Sequence, residues 1–135
     1  MQSTELCYLL ATAILTGLLW IPYVIGLVKT RGLLRPQDYV TAPDSPLPEW
    51  VNRANRAHLN AVENLAPFAV FVLVAAHLDY STATTVLLAT VFFWFRVAHA
   101  VIHISGFSLL MARTITFTVA NIAMIVYGAL VLMQL

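Results

Sequence analysis

An all-α membrane protein built as a four-transmembrane-helix bundle is the fold this sequence predicts, and three observations predict it. Of 135 residues, 61% are hydrophobic and only 10% charged, against about 45–50% apolar and about 25% charged in soluble domains. The few charges are unevenly spread. None falls between Leu6 and Val28 or from Thr114 to Leu135, and Arg96 is the only one from Tyr80 to Ile104. A soluble helix needs a polar face, and these stretches lack one. A spanning helix needs about 20 mostly apolar residues, so the chain has room for about four spans and little else. Composition excludes a soluble enzyme, a nucleic-acid binder and a disordered chain. The net charge of +1 is uninformative. Residues 1–135 are read as one transmembrane domain.

The first span covers about 6–28. It is too long for the apolar region of a signal peptide, and the flank Met1-Gln2-Ser3-Thr4-Glu5 carries no positive charge, so no cleaved signal is expected. Pro22 is placed to bend this span, with Trp20 and Tyr23 as interfacial anchors. The span stops at Lys29, Arg31 and Arg35. Residues 29–49 form the one long loop, where Pro36, Pro43, Pro46 and Pro48 prevent regular structure. A helix restarts at Pro48-Glu49-Trp50, with proline in its first turn. Asn52, Arg53, Asn55 and Arg56 keep its start outside the hydrocarbon. Its apolar part covers about 57–78 and ends at the turn Asp79-Tyr80-Ser81. The third span covers about 82–104, followed by a turn at Ser105-Gly106-Phe107-Ser108. The fourth covers about 113–134.

Basic residues in short loops mark the cytoplasmic side. The first connection and the helix after it hold Lys29, Arg31, Arg35, Arg53 and Arg56, and Arg113 follows the third connection. Both termini are therefore expected on the non-cytoplasmic side. The single cysteine, Cys7, reads as a small buried apolar residue of the first span. No Cys/His cluster has zinc-site spacing, so no metal is expected.

The polar residues inside the spans carry the functional signal. With Arg53 at zero on a helix advancing ~100° per residue, Arg56 falls at about −60°, Asn60 at −20°, Glu63 at −80° and Asn64 at +20°. These share one face. An ionisable residue at that depth costs at least ~2.5 kcal/mol on insertion scales, so it should face a protein interior or a wet cavity. Pro67 lacks an N–H and leaves the Glu63 carbonyl without its helical donor. In the third span Arg96, His99 and His103 fall at about 0°, −60° and −20° on one face, Arg96 about 12 Å from the cytoplasmic end. Glu63 and Arg96 thus reach similar depth on antiparallel helices, and an ion pair between them is expected. Thr114, Thr118 and Asn121 share a face with Arg113 and read as interhelical hydrogen-bonders. Lys29, Arg53, Arg56, Arg96 and Arg113 around the single carboxylate of Glu63 suit an anion that also carries an amine. Arginines at helix ends also snorkel to the interface without any ligand, so Arg53 and Arg113 carry less of this argument.

The run Arg56-Ala57-His58-Leu59-Asn60-Ala61-Val62-Glu63-Asn64-Leu65-Ala66-Pro67 resembles the R-A-x-x-N-x-x-E signature, with its following proline, of the MAPEG family (membrane-associated proteins in eicosanoid and glutathione metabolism), in a bacterial type. Arg96-Val97-Ala98-His99 resembles the family's third-helix R-x-x-[HY] element. The resemblance implies a homotrimer that holds glutathione, a co-substrate, between subunits toward the cytoplasmic side. By that analogy Arg56, Asn60 and Glu63 hold its carboxylate and amine groups, and Arg53 and Lys29 add positive charge. Arg96, His99 and His103 line the site from the third helix. Arg113 stands where family enzymes carry an arginine that favours the thiolate form of glutathione, the nucleophilic form. There are departures. Leu59 stands where some members have a second arginine, His103 where glutathione-using members commonly have tyrosine, and Phe117 where some have a further tyrosine. These argue against the mammalian eicosanoid activities and leave glutathione binding in place.

Two functions from different classes follow. One is a membrane-bound glutathione transferase or peroxidase acting on lipophilic electrophiles or hydroperoxides that arrive from the lipid. The other is a non-catalytic, lipid-binding or scaffold protein with a membrane-protein partner, which the changes at His103 and Phe117 favour. A proton-coupled carrier using Glu63, His99 and His103 is a weaker reading, because only His77 and Asp79 lie on the other side and no continuous path is evident.

Overall fold

The computed structural model describes residues 2–41, 44–108 and 111–135, and is all-helical among them. Met1 of the N-terminal flank and the expected loop-breaker Pro43 lie outside the described residues. In chain order the helices are α1 (Gln2–Leu18), α2 (Trp20–Arg31), α3 (Glu49–His77), α4 (Ala83–Ser105) and α5 (Ala112–Leu132). Four segments are long and apolar enough to cross a membrane: Thr4–Arg31, Glu49–His77, Ala83–Ser105 and Ala112–Leu132. The first is α1 and α2 end to end.

The bend expected at Pro22 occurs as a break at Leu19. The Leu19 N–H donates to both the Leu15 carbonyl (3.1 Å) and the Thr16 carbonyl (3.3 Å). Pro22 has no N–H for the Leu18 carbonyl and its ring crowds that oxygen, so the helix cannot run through unchanged. Gly32 ends α2 at φ 78°, in the left-handed region that favours glycine. The loop beyond is not wholly irregular. Pro36–Tyr39 makes one 3₁₀ turn, in which Asp38 accepts the Arg35 N–H at 2.6 Å. The Arg31 guanidinium ties the base of α2 to the Ser45 carbonyl, with Nε at 3.0 Å and Nη2 also donating.

Pro48 sits at the cap of α3 rather than inside its first turn, and Pro67 lies within the helix. The start of α4 is closed reciprocally. The Thr85 N–H donates to Thr82 Oγ1 (3.1 Å), and the Thr82 N–H donates to Thr85 Oγ1 (2.8 Å). Helix α5 begins differently. Its cap residue Met111 is left-handed (φ 53°) and makes no side-chain cap.

The core lies between α3, α4 and α5. Phe68, Val72, Phe92, Ala120, Met124 and Tyr127 are buried there. Phe68 and Phe92 stack with ring centroids 4.0 Å apart, and Tyr127 meets Phe68 edge-on at 6.3 Å. Small residues let the helices approach, as in membrane bundles generally. Gly26 is the sharpest case: a Cβ there would collide with the Val51 side chain, so α2 lies directly on the start of α3. Leu10, Ile14, Leu87, Ile122 and Ile125 are among the large apolar side chains left exposed, and Cys7, expected to be buried, is exposed with them on the outer face of α1.

Candidate functional site

The polar side chains of α3, α4 and α5 meet at the end of the bundle that holds the first and third connections. Arg96, on α4, is 4% exposed. Its Nη2 donates to Asn60 Oδ1 at 2.7 Å and to the Asn60 carbonyl at 3.1 Å. Asn64 is buried beside it and donates from Nδ2 to the same carbonyl at 2.8 Å. Arg96 Nη1 is buried and has no hydrogen-bond partner among the described residues.

The ion pair expected between Glu63 and Arg96 is therefore not formed within the chain. Asn60 takes its place. The reason is rotational: Glu63 lies about 60° around α3 from Asn60. The helix turns its Asn60–Asn64 edge toward α4, which leaves Arg56 and Glu63 exposed. The shared face thus divides into an inner edge already used and an outer edge left open.

A second group forms around a cavity of about 300 Å³ lined by Arg53, His103, Gly106, Ser108, Arg113 and Thr114, among others. Arg53 donates from Nε to the Ile104 carbonyl at 3.3 Å, fastening α3 to the end of α4. The guanidinium lies so close to Gly106 that a Cβ there would stand 2.9 Å from its carbon. His103 is 9% exposed, and both of its ring nitrogens are buried without a partner among the described residues. His99 is buried between His103 and Phe117, at centroid distances of 5.4 and 5.7 Å. Its Nδ1 meets the Arg113 carbonyl at 3.1 Å.

The structure thus brings Asn60 to Arg96, His99 to Arg113, and Arg53, His103 and Arg113 to one cavity. Lys29 is exposed in the last turn of α2, and no hydrogen bond joins it to these groups among the described residues. The interhelical role expected of Thr114, Thr118 and Asn121 is not seen. Thr114 and Thr118 are exposed, and Asn121 donates to the Phe117 carbonyl of its own helix at 3.0 Å. The buried threonine on this helix is Thr116, whose hydroxyl donates to the Ala112 carbonyl at 2.8 Å and lies 3.4 Å from His99 Nδ1. One-helix angles pointed to the wrong threonines because they carry no information on how α5 is rotated against α4.

At the other end a polar contact went unread in the sequence. Glu5 is 2% exposed. Its carboxylate accepts from Ser81 Oγ at 2.7 Å and from the Tyr127 hydroxyl at 3.3 Å. In the sequence Glu5 reads as a flank. The available signal was Tyr127, a hydroxyl deep in a span that needs a buried acceptor.

Four apolar helices of membrane length, with buried and half-buried polar side chains gathered at one end, define an integral membrane protein with an intramembrane polar site. The chain belongs to the MAPEG family, whose sequence profile matches residues 6–133. No curated protein matches it in a direct comparison.

Proposed function

We propose that this protein is a membrane-bound glutathione-dependent transferase or peroxidase that acts on lipophilic electrophiles or hydroperoxides. The observation that carries the reading is the divided face of α3. Arg56 and Glu63 stand exposed on a membrane-spanning helix, while Arg96 Nη1 and both nitrogens of His103 are buried without partners. An ionisable group at the depth of Glu63, inside the apolar part of the helix, is too costly to leave against lipid. A neighbouring subunit of a homotrimer covers the open edge, and a zwitterionic peptide between subunits supplies the missing partners.

In this reading Arg56, Asn60 and Glu63 hold the carboxylate and amine groups of glutathione. Lys29 and Arg53 add positive charge, and Arg96, His99 and His103 line the site from α4. Arg113 is the catalytic residue. Its guanidinium lowers the energy of the thiolate relative to the thiol, and the thiolate attacks an electrophile that enters from the lipid. Both termini lie on the non-cytoplasmic side.

A second reading is a non-catalytic lipid-binding or scaffold protein of a membrane complex. His103 favours it, because a buried ring with no hydrogen bond also describes a side chain serving only as packing. Titration of the full-length protein in detergent with glutathione, followed by a conjugation assay with an aryl halide, separates the two. The transferase reading expects binding, turnover, and a roughly 10²- to 10³-fold lower kcat in Arg113→Ala. No binding at millimolar glutathione sinks it and leaves the scaffold.

A further inference from the structure

We propose that His99 is a positioning residue, which fixes the first turn of α5 and so aims Arg113; the proposal rests on the glutathione-dependent reading above. The contact itself sets the direction of the bond. A backbone carbonyl has no proton to give, so the 3.1 Å contact between His99 Nδ1 and the Arg113 carbonyl requires Nδ1 to be the donor. The ring's orientation is held independently. His99 is buried, with His103 edge-on against it and Phe117 tilted over it.

The start of α5 needs such a tether. Met111 caps it with no side-chain hydrogen bond, whereas the start of α4 is closed by the Thr82–Thr85 pair. Within α5, Thr116 turns its hydroxyl back to the Ala112 carbonyl (2.8 Å) and the Arg113 carbonyl (3.1 Å) and lies 3.4 Å from His99 Nδ1. The Arg113 carbonyl is thus the point where α4 and the first turn of α5 are joined. Arg113 itself is exposed and lines the cavity it shares with Arg53 and His103. Its long side chain has many rotamers, and fixing its backbone removes one source of misplacement. A displacement of about 1 Å at a reacting group can cost about a hundredfold in rate.

Two amides distinguish which ring nitrogen matters. Asparagine places an N–H donor where His99 Nδ1 lies; glutamine places one where Nε2 lies. The experiment compares wild type, His99→Asn, His99→Gln and His99→Phe as full-length protein in nanodiscs. It reads kcat and KM for glutathione with an aryl halide, together with amide hydrogen exchange across residues 113–117. His99→Phe and His99→Gln are expected to lower kcat by about ten- to a hundredfold and to speed exchange in the first turn of α5. His99→Asn is expected to restore both readouts. Rescue by His99→Gln instead, or a loss seen in KM alone, overturns the proposal in favour of direct substrate contact through Nε2. Unchanged exchange in His99→Phe and His99→Gln also overturns it. Should His99→Phe not fold, the Asn and Gln variants carry the comparison between them. If the wild type neither binds nor turns over glutathione, the glutathione reading falls while the exchange data still decide whether His99 tethers α5.

Discussion

The two ends of the bundle treat buried polar groups in opposite ways. At the end that holds the termini, the Glu5 carboxylate is met by Ser81 and Tyr127, and Thr82 and Thr85 satisfy each other. At the arginine-rich end, Arg96 spends one arm on Asn60 and leaves the other unmet, and His103 has no partner at either nitrogen. Both ends put costly groups in low dielectric, where an unmet donor or acceptor loses its full solvation. The first end recovers that cost within the chain and reads as a fastening. The second does not, which is the pattern expected where stability is given up for binding.

The largest effect that tests this contrast is at Glu5. Glu5→Leu orphans the buried Tyr127 hydroxyl and the Ser81 hydroxyl together, and is expected to lower unfolding stability by about 2–3 kcal/mol. Glu5→Gln keeps an acceptor, and both hydroxyls can rotate to meet an amide, so it should fall within about 1 kcal/mol of wild type. Glutathione affinity should be unchanged in both. Fluorescence-detected unfolding in detergent checks the first expectation and titration the second. A Glu5 variant that folds but loses glutathione would break the comparison, because it would couple the fastening to the site.

His103 should respond with the opposite sign. Replacing a buried ring that has no hydrogen bond by an apolar side chain removes unmet polar atoms. His103→Leu is therefore expected to raise the stability of the unliganded protein by about 1 kcal/mol, while the stabilisation given by added glutathione shrinks. The same unfolding measurement, with and without millimolar glutathione, reads both. If His103→Leu is destabilising and the ligand-induced shift is untouched, the ring is structural and the open end is less open than its geometry implies.

How far the sequence disclosed this contrast depends on the link concerned. The spans were legible because absence of charge over about 20 residues has one physical outcome in a chain of this size. The polar faces of α3 and α4 were legible because helical angle follows from spacing alone. What angles do not contain is the rotation of one helix against its neighbour. That single unknown explains three differences: Arg96 meets Asn60 instead of Glu63, Thr116 is buried instead of Thr114 and Thr118, and the α3 face is divided rather than turned inward whole. Glu5 was missed for another reason. Its partners are 76 and 122 residues away in sequence, and nothing local marks a carboxylate beside a terminus as buried.

The smallest effect concerns Lys29, which tests where the open end stops. It is exposed in the last turn of α2 and joined by no hydrogen bond to the other basic groups among the described residues. An exposed ammonium interacts weakly with a charged ligand through water, and salt screens it further. Lys29→Ala is therefore expected to weaken glutathione binding by only about twofold at low ionic strength, a difference that salt erases. Titrations at low and at physiological salt measure it. A salt-resistant loss of about tenfold or more would mean that the ammonium touches the ligand directly. Because α2 packs on α3 through Gly26 and Val51, the site would then extend past the inner helices to α2. The boundary between the fastened part of the bundle and the part left open would move with it.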